Sequence, residues 1–310
     1  MISSFTEVAT QVAVLFILIA IGFICSKKEI FDEHTIKHIT NFILYFVTPT
    51  VVINSFNRDY NPLLLKKLLI STACAVVIHL LSIALSYLLI HDKDKSKKAV
   101  LQYGIIFSNC GYMALPLQSA ILGTEGVFLG TAYIAVFNLL TWTYGLVLMS
   151  GKTSEISIKK IFINPGLIGI VTGLIIFFTP IKLPIFISSP VPHLANLNTP
   201  LPMMIIGFYL SKIPTLKVLK DWKLLLGIIT RLVICPLAAL VLMYLTGIRD
   251  NILPAMVIAV SAPRAANTTM FAAKYEKDTG TAVTMVAMGT LFSILTMPLV
   301  VTLAMLLCNI

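Results

Sequence analysis

Carboxylates are scarce in this chain, and none falls inside an apolar run. The thirteen acids, from Glu7 to Asp278, all stand at the ends of apolar stretches or between them. An exchanger that takes up sodium or protons on a buried carboxylate needs an acid at membrane depth, so that mechanism is disfavoured. Charge of either sign is thin: 12% of residues are Asp, Glu, Lys or Arg, against roughly a quarter in soluble chains. The five cysteines are scattered without a CxxC pair, which argues against a metal site and leaves them as small buried apolar groups. No HExxH, Gly-rich phosphate loop or intramembrane acid pair occurs, so neither an enzyme nor a nucleotide-driven pump is expected, and no cofactor. No Lys or Arg precedes the first apolar run, so that run is expected to be a retained helix rather than a cleaved signal peptide.

What the chain has in quantity is apolar length. Hydrophobic residues make up 58% of the 310, and the mean hydropathy is +0.95. Crossing a bilayer takes about 20 mostly apolar residues. Ten windows meet that length: 8–26, 38–57, 68–90, 99–121, 126–150, 161–181, 191–211, 224–247, 251–273 and 280–308. Although the net charge is +10, Lys and Arg punctuate apolar runs instead of gathering on one solvated face, so nucleic acid is not an expected partner. With the N-terminus outside, the inward connections carry sixteen Lys or Arg and the outward ones five. This positive-inside bias predicts both termini on the extracytoplasmic side of the plasma membrane.

Two landmarks recur. Thr48-Pro49-Thr50 is matched by Thr199-Pro200-Leu201, 151 residues later, and Leu122–Gly126 by Tyr275–Gly280, 154 residues later. The fold class expected is therefore an all-α membrane protein of ten transmembrane helices. They form two five-helix repeats, residues 1–150 and 151–310, which an odd number of crossings inserts in opposite senses.

The fourth and ninth windows carry helix-breaking and polar residues at matching places, Phe107–Pro116 and Ser261–Met270. Proline removes an amide donor and glycine loosens the backbone. In lipid such unwinding survives only when buried in protein or lining a cavity. Two broken helices facing each other would aim positive half-helix N-termini at one spot, which suits an anion. The candidate substrate residues are Asn109, Gly111, Pro116, Pro263, Arg264, Asn267 and Thr268, with Ser108, Ser261 and His79 as ion or polar support. Arg264 could instead bond carbonyls of a broken helix, and Pro49, Pro236 and Pro298 read as ordinary kinks. Arg231, eight residues past Lys223, is expected to snorkel to the inner face.

Four stretches together carry a family likeness: Asn41–Pro49, Asn109–Pro116, Asn164-Pro165-Gly166 and Pro263–Tyr275. In their order the chain resembles the auxin efflux carrier family, the bacterial relatives of the plant PIN carriers. The resemblance implies a bile-acid/sodium-symporter-like fold with windows 1, 2, 6 and 7 as scaffold and windows 3–5 and 8–10 as a moving transport domain. It also implies a crossover of helices 4 and 9 at prolines, here Pro116 or its neighbourhood and Pro263, and a homodimer. The substrates it implies are organic anions, auxin or small carboxylates such as malate and malonate. The long cytoplasmic loop of many plant members is absent. The expected function is elevator-type transport of a small organic anion across the plasma membrane. The rivals are a sodium- or proton-coupled symporter with an ion site at the crossover, and a transport-inactive receptor or channel.

Overall fold

The computed structural model describes residues 2–156, 165–179, 184–212 and 221–308. Lys159, Lys160, Lys217 and Lys220 of the expected inner loops, Lys182 of an outer one, and Asn164 of the Asn-Pro-Gly motif lie outside these. The described secondary structure is helical apart from one isolated bridge. In chain order the elements are α1 (Ile2–Lys27), α2 (Glu33–Phe56), α3 (Pro62–Leu89), α4 (Lys95–Ile106) and α5 (Cys110–Ser150). There follow α6 (Pro165–Phe178), α7 (Pro190–Asn196), α8 (Pro200–Ser211), α9 (Trp222–Leu245), α10 (Ile252–Ser261), α11 (Asn267–Lys274) and α12 (Thr279–Cys308).

Five of these, α2, α3, α5, α9 and α12, are long and apolar enough to cross a membrane, and shorter apolar helices run over Ala13–Lys27, α6 and α10. The ten apolar windows are thus not ten uninterrupted helices. Two share the 41-residue α5, which kinks at Gly123, where φ +61° and ψ −155° suit a residue without Cβ. Three windows are split, the fourth between α4 and α5, the seventh between α7 and α8 and the ninth between α10 and α11.

The helix ends follow from local chemistry. Asp32, Asn61, Asp94 and Asp221 stand just outside apolar runs and accept the first free amides of α2, α3, α4 and α9. Within the runs, hydroxyls turn back to the preceding helical turn, as Thr72 Oγ1 does to the Leu68 carbonyl at 2.9 Å and Ser82 Oγ to Ile78 at 2.9 Å. Wide π turns at Ile43–Val47, Cys110–Ala114 and Thr230–Ile234 lie directly ahead of Pro49, Pro116 and Pro236. A proline clashes with the carbonyl four residues back and offers it no N–H, and the wider turn relieves both. Pro298 sits inside α12 without interrupting it. No proline accounts for a fourth π turn at Thr141–Gly145.

Packing gathers the helices into two groups. In one, α1 lies against α8 where two glycines meet backbone: a Cβ on Gly22 would fall 2.0 Å from the Met204 carbonyl oxygen, and one on Gly207 2.0 Å from that of Ile19. Likewise α6 approaches α2 through Gly169, where a Cβ would stand 2.9 Å from Pro49 Cα, and through Gly173 against the Phe56 ring. Small residues allow such backbone approach, and dispersion is what holds helices together where lipid is as apolar as their side chains. The other group builds on α10, every residue of which is buried, surrounded by α3, α5, α9 and α12. A small cavity of about 20 Å³ lies between the groups, lined by Leu15, Phe16 and Ile19 of α1, Met203 of α8, and Met113, Leu117, Ser293 and Met297.

Candidate functional site: two broken helices and their bridge

The backbone leaves helical geometry between α4 and α5, at Phe107–Asn109, and between α10 and α11, at Ala262–Ala266. These breaks meet. Ser108 and Arg264 form an antiparallel bridge, in which the Asn109 amide donates to the Pro263 carbonyl at 2.7 Å and the Ala265 amide to the Phe107 carbonyl at 3.0 Å. Each break leaves backbone groups that its own helix cannot pair, and unpaired groups at membrane depth cost several kcal/mol each. The two breaks satisfy part of that need in each other. An aromatic cluster holds the first break: the Phe107 ring lies tilted against Tyr103 with centroids 4.5 Å apart and meets Phe137 edge-on at 5.8 Å.

Six of the sequence-derived residues surround this bridge. Ser108, Pro263 and Arg264 are in it, and Ser108 and Arg264 are fully buried. Asn109 caps the start of α5, its Oδ1 accepting from the Tyr112 amide at 3.4 Å. Asn267, half-buried, begins α11. Thr268, buried beside it, donates from Oγ1 to the Ala265 carbonyl at 2.7 Å. Gly111 lies in the first turn of α5, with open space where a Cβ would be. Ser261 is the last residue of α10, and its Oγ donates to Ile258 at 3.2 Å. Pro116 is not at the break; it lies further along, after the π turn. His79 is buried on α3, its Nδ1 2.7 Å from the Ala75 carbonyl and its Nε2 without a partner. The His79 ring lies 4.6 Å from Tyr133, whose hydroxyl accepts from Ser108 Oγ at 3.4 Å.

Arg264 is enclosed in protein. Its NH1 donates to the Met285 carbonyl at 2.9 Å, while Nε and NH2 have no partner. Three glycines from three helices make its room. A Cβ on Gly104 would fall 2.6 Å from Arg264 Cδ and Nε, one on Gly227 3.3 Å from NH2, and one on Gly289 3.3 Å from NH1.

Arg231 departs from the snorkelling expected of it. It is fully buried, in the π turn of α9, and its guanidinium reaches both breaks. NH1 donates to the Ile105 carbonyl at 2.8 Å, with a longer contact to Ile106 at 3.5 Å; NH2 donates to Val260 at 2.6 Å, and Nε to Ala262 at 3.2 Å. These carbonyls close the C-terminal ends of α4 and α10, the negative ends of their dipoles. A planar fork of five donors suits such a set. The signal available in the sequence was an arginine in an apolar run, in a chain whose acids all stand at the ends of apolar runs or between them, with two breaks that free carbonyls. Among the described residues neither arginine has a carboxylate partner; the ion pairs Lys97–Asp221 and Lys223–Asp92 lie at helix ends, and Lys67–Glu125 joins the start of α3 to the kinked middle of α5.

Known proteins share this sequence pattern along nearly its whole length. The chain is 24% identical over 299 residues to a protein of Methanothermobacter thermautotrophicus described as an uncharacterized transporter, with 95% of this chain and 96% of that one covered. The profile of the membrane transport protein family matches residues 7–161 and again residues 151–301. The chain therefore belongs to the membrane transport protein family, the family that includes the auxin efflux carriers.

Proposed function

We propose that this membrane transporter is a secondary carrier of a small organic anion, auxin-like or a mono- or dicarboxylate such as malate or malonate. The observation that carries the reading is the bridge from Ser108 to Arg264. It joins two broken helices whose second halves, α5 and α11, start beside it. Half-helix N-termini present partial positive charge, Asn109 and Asn267 add amides, and open space adjoins Gly111. With Arg231 and Arg264 near and no acid paired to either among the described residues, the local field favours an anion. Arg264, enclosed in this conformation, acts in this reading as fixed charge beneath the bridge.

In the same reading the chain crosses the plasma membrane ten times, as two inverted repeats with both termini extracytoplasmic, and it performs no catalysis. The group of α1, α2, α6, α7 and α8 is the scaffold, through which two copies pair in the bilayer. The group around α10 carries the site past it like an elevator. The glycine-mediated contacts within the first group and the apolar, methionine-lined seam between the groups support that division, because sliding needs an interface without fixed polar partners.

The test is a thermal-shift screen of organic acids on purified protein, since a ligand of the native state raises its stability by mass action, followed by uptake of the best acid into proteoliposomes. Saturable uptake that needs no sodium supports the carrier. Strict sodium dependence favours a coupled symporter, and non-saturating currents favour a channel.

A further inference from the structure

A free cation has a natural seat where two unwound helices meet, because half-helix C-terminal ends and freed carbonyls are the groups that coordinate sodium in discontinuous-helix carriers. In this protein that seat is filled from within the chain. The carbonyls of Ile105 and Ile106 at the end of α4, and of Val260 and Ala262 at the end of α10, converge on the Arg231 guanidinium. Arg231 comes from a third helix, α9, and it is fully buried with no carboxylate beside it among the described residues. Among the described residues its charge is met by those four carbonyls and the helix dipoles behind them, with the neutral Tyr133 hydroxyl nearby. Each nitrogen of the fork meets the ends it joins: NH1 the first break, NH2 and Nε the second.

We infer that Arg231 is a tethered cation: a positioning residue that takes the place of a coupling ion at the crossover and holds the two breaks in register. A free ion can leave and so link its own gradient to movement of the site. A side chain cannot, so the crossover keeps its charge through the whole cycle, and sodium has no role at this position. The geometry also sorts the charge of the site. By neutralising the negative ends of α4 and α10, Arg231 leaves the positive ends of α5 and α11 unopposed.

Melting of purified full-length protein in detergent tests this without any substrate, in sodium, potassium or low-millimolar guanidinium chloride against N-methylglucamine chloride. The wild type should melt at the same temperature in all four salts. Arg231→Ala should melt lower in N-methylglucamine and recover with rising sodium, potassium or guanidinium. The recovery should be logarithmic in concentration, as for an ion that binds only the native state. Arg231→Gln, which keeps donors without charge, should respond in the same way. Arg231→Lys should lie between wild type and Ala and respond to no cation. A merely structural arginine would produce the loss but not the gained cation response. Stabilisation of the wild type by sodium, or an Arg231→Ala protein that is destabilised yet indifferent to every cation, would overturn the assignment. So would recovery of Arg231→Lys from membranes no better than that of Arg231→Gln, because charge would then not be what the carbonyls require. The consequence for transport rests on the crossover being the carrier site. Failure to find an organic-anion substrate would leave the melting result standing, and a failed melting result would leave the anion screen standing.

Discussion

Gly104 and Arg264 are fitted to each other: a Cβ at residue 104 would stand 2.6 Å from both Cδ and Nε of the arginine. Gly104→Ala should therefore force the guanidinium from its place, and overpacking of this kind costs about 1–3 kcal/mol. Gly111→Ala is the matched control, since nothing lies within 4 Å of its Cβ position. Melting temperatures of the two purified variants check this. Gly104→Ala should fall by several degrees and Gly111→Ala stay level, while ligand affinity should move in Gly111→Ala if the space beside it holds substrate.

Arg264 separates charge from hydrogen bonding. Two unit charges about 8 Å apart at an effective dielectric of about 20 interact by about 2 kcal/mol. Arg264→Ala should thus weaken binding of an organic acid by roughly tenfold or more. Arg264→Lys keeps the charge and should keep most of the affinity, with a lower melting temperature because the planar fork is gone. Affinity and melting measured on the same samples decide the matter. Unchanged affinity in Arg264→Ala would confine the residue to tying its helix down.

The N-terminal ends of α4 and α9 are joined by crossed ion pairs, Lys97 with Asp221 and Lys223 with Asp92 at 3.1 Å. The Asp94 amide, and then Lys223, hold the Asp92 carboxyl below its ordinary range. Burial pushes the Asp221 carboxyl up, but Lys97 and the amides of Leu224 and Lys223 outweigh it and the net is downward. The bond to Asp221 raises the Lys97 ammonium. Depressed carboxylates give stability that is present above their ordinary value of 3.8 and is lost as pH falls through the lowered ones. The raised lysine gives stability that is present below its ordinary 10.5 and is lost as pH rises past the raised value. Between these limits the pairs should contribute a constant amount, modest because they are partly exposed. Melting curves against pH should show Asp92→Asn/Asp221→Asn losing less than wild type on acidification below about pH 4. Parallel acid curves would remove these pairs from the account.

Topology is open to direct labelling. Thr153 and Ser154 lie in a connection expected to be cytoplasmic. Cysteines placed singly there, in a background without native thiols, should resist impermeant thiol reagents in intact cells and react after permeabilisation. Ready labelling of intact cells would reverse the orientation.

Apolar length, the scarcity of charge and the position of the breaks were legible in the sequence, because each is a property of a window of about 20 residues or fewer. Asn109, Pro263, Asn267 and Thr268 stood out as polar or helix-breaking residues in apolar runs, and the structure gathers them at one bridge. Pro116 misled as to the break in the first half. Its local effect was absorbed by a π turn, and the chain unwinds earlier, where the Asn109 amide and the Phe107 carbonyl find partners on the other break. Only the tertiary structure decided what the two arginines do. Arg231 bonds carbonyls 126 residues before it and 31 residues after it, and Arg264 fits among glycines on α4, α9 and α12. A local pattern records that an arginine is out of water. Which acceptors neutralise it depends on segments that meet only when the chain is folded.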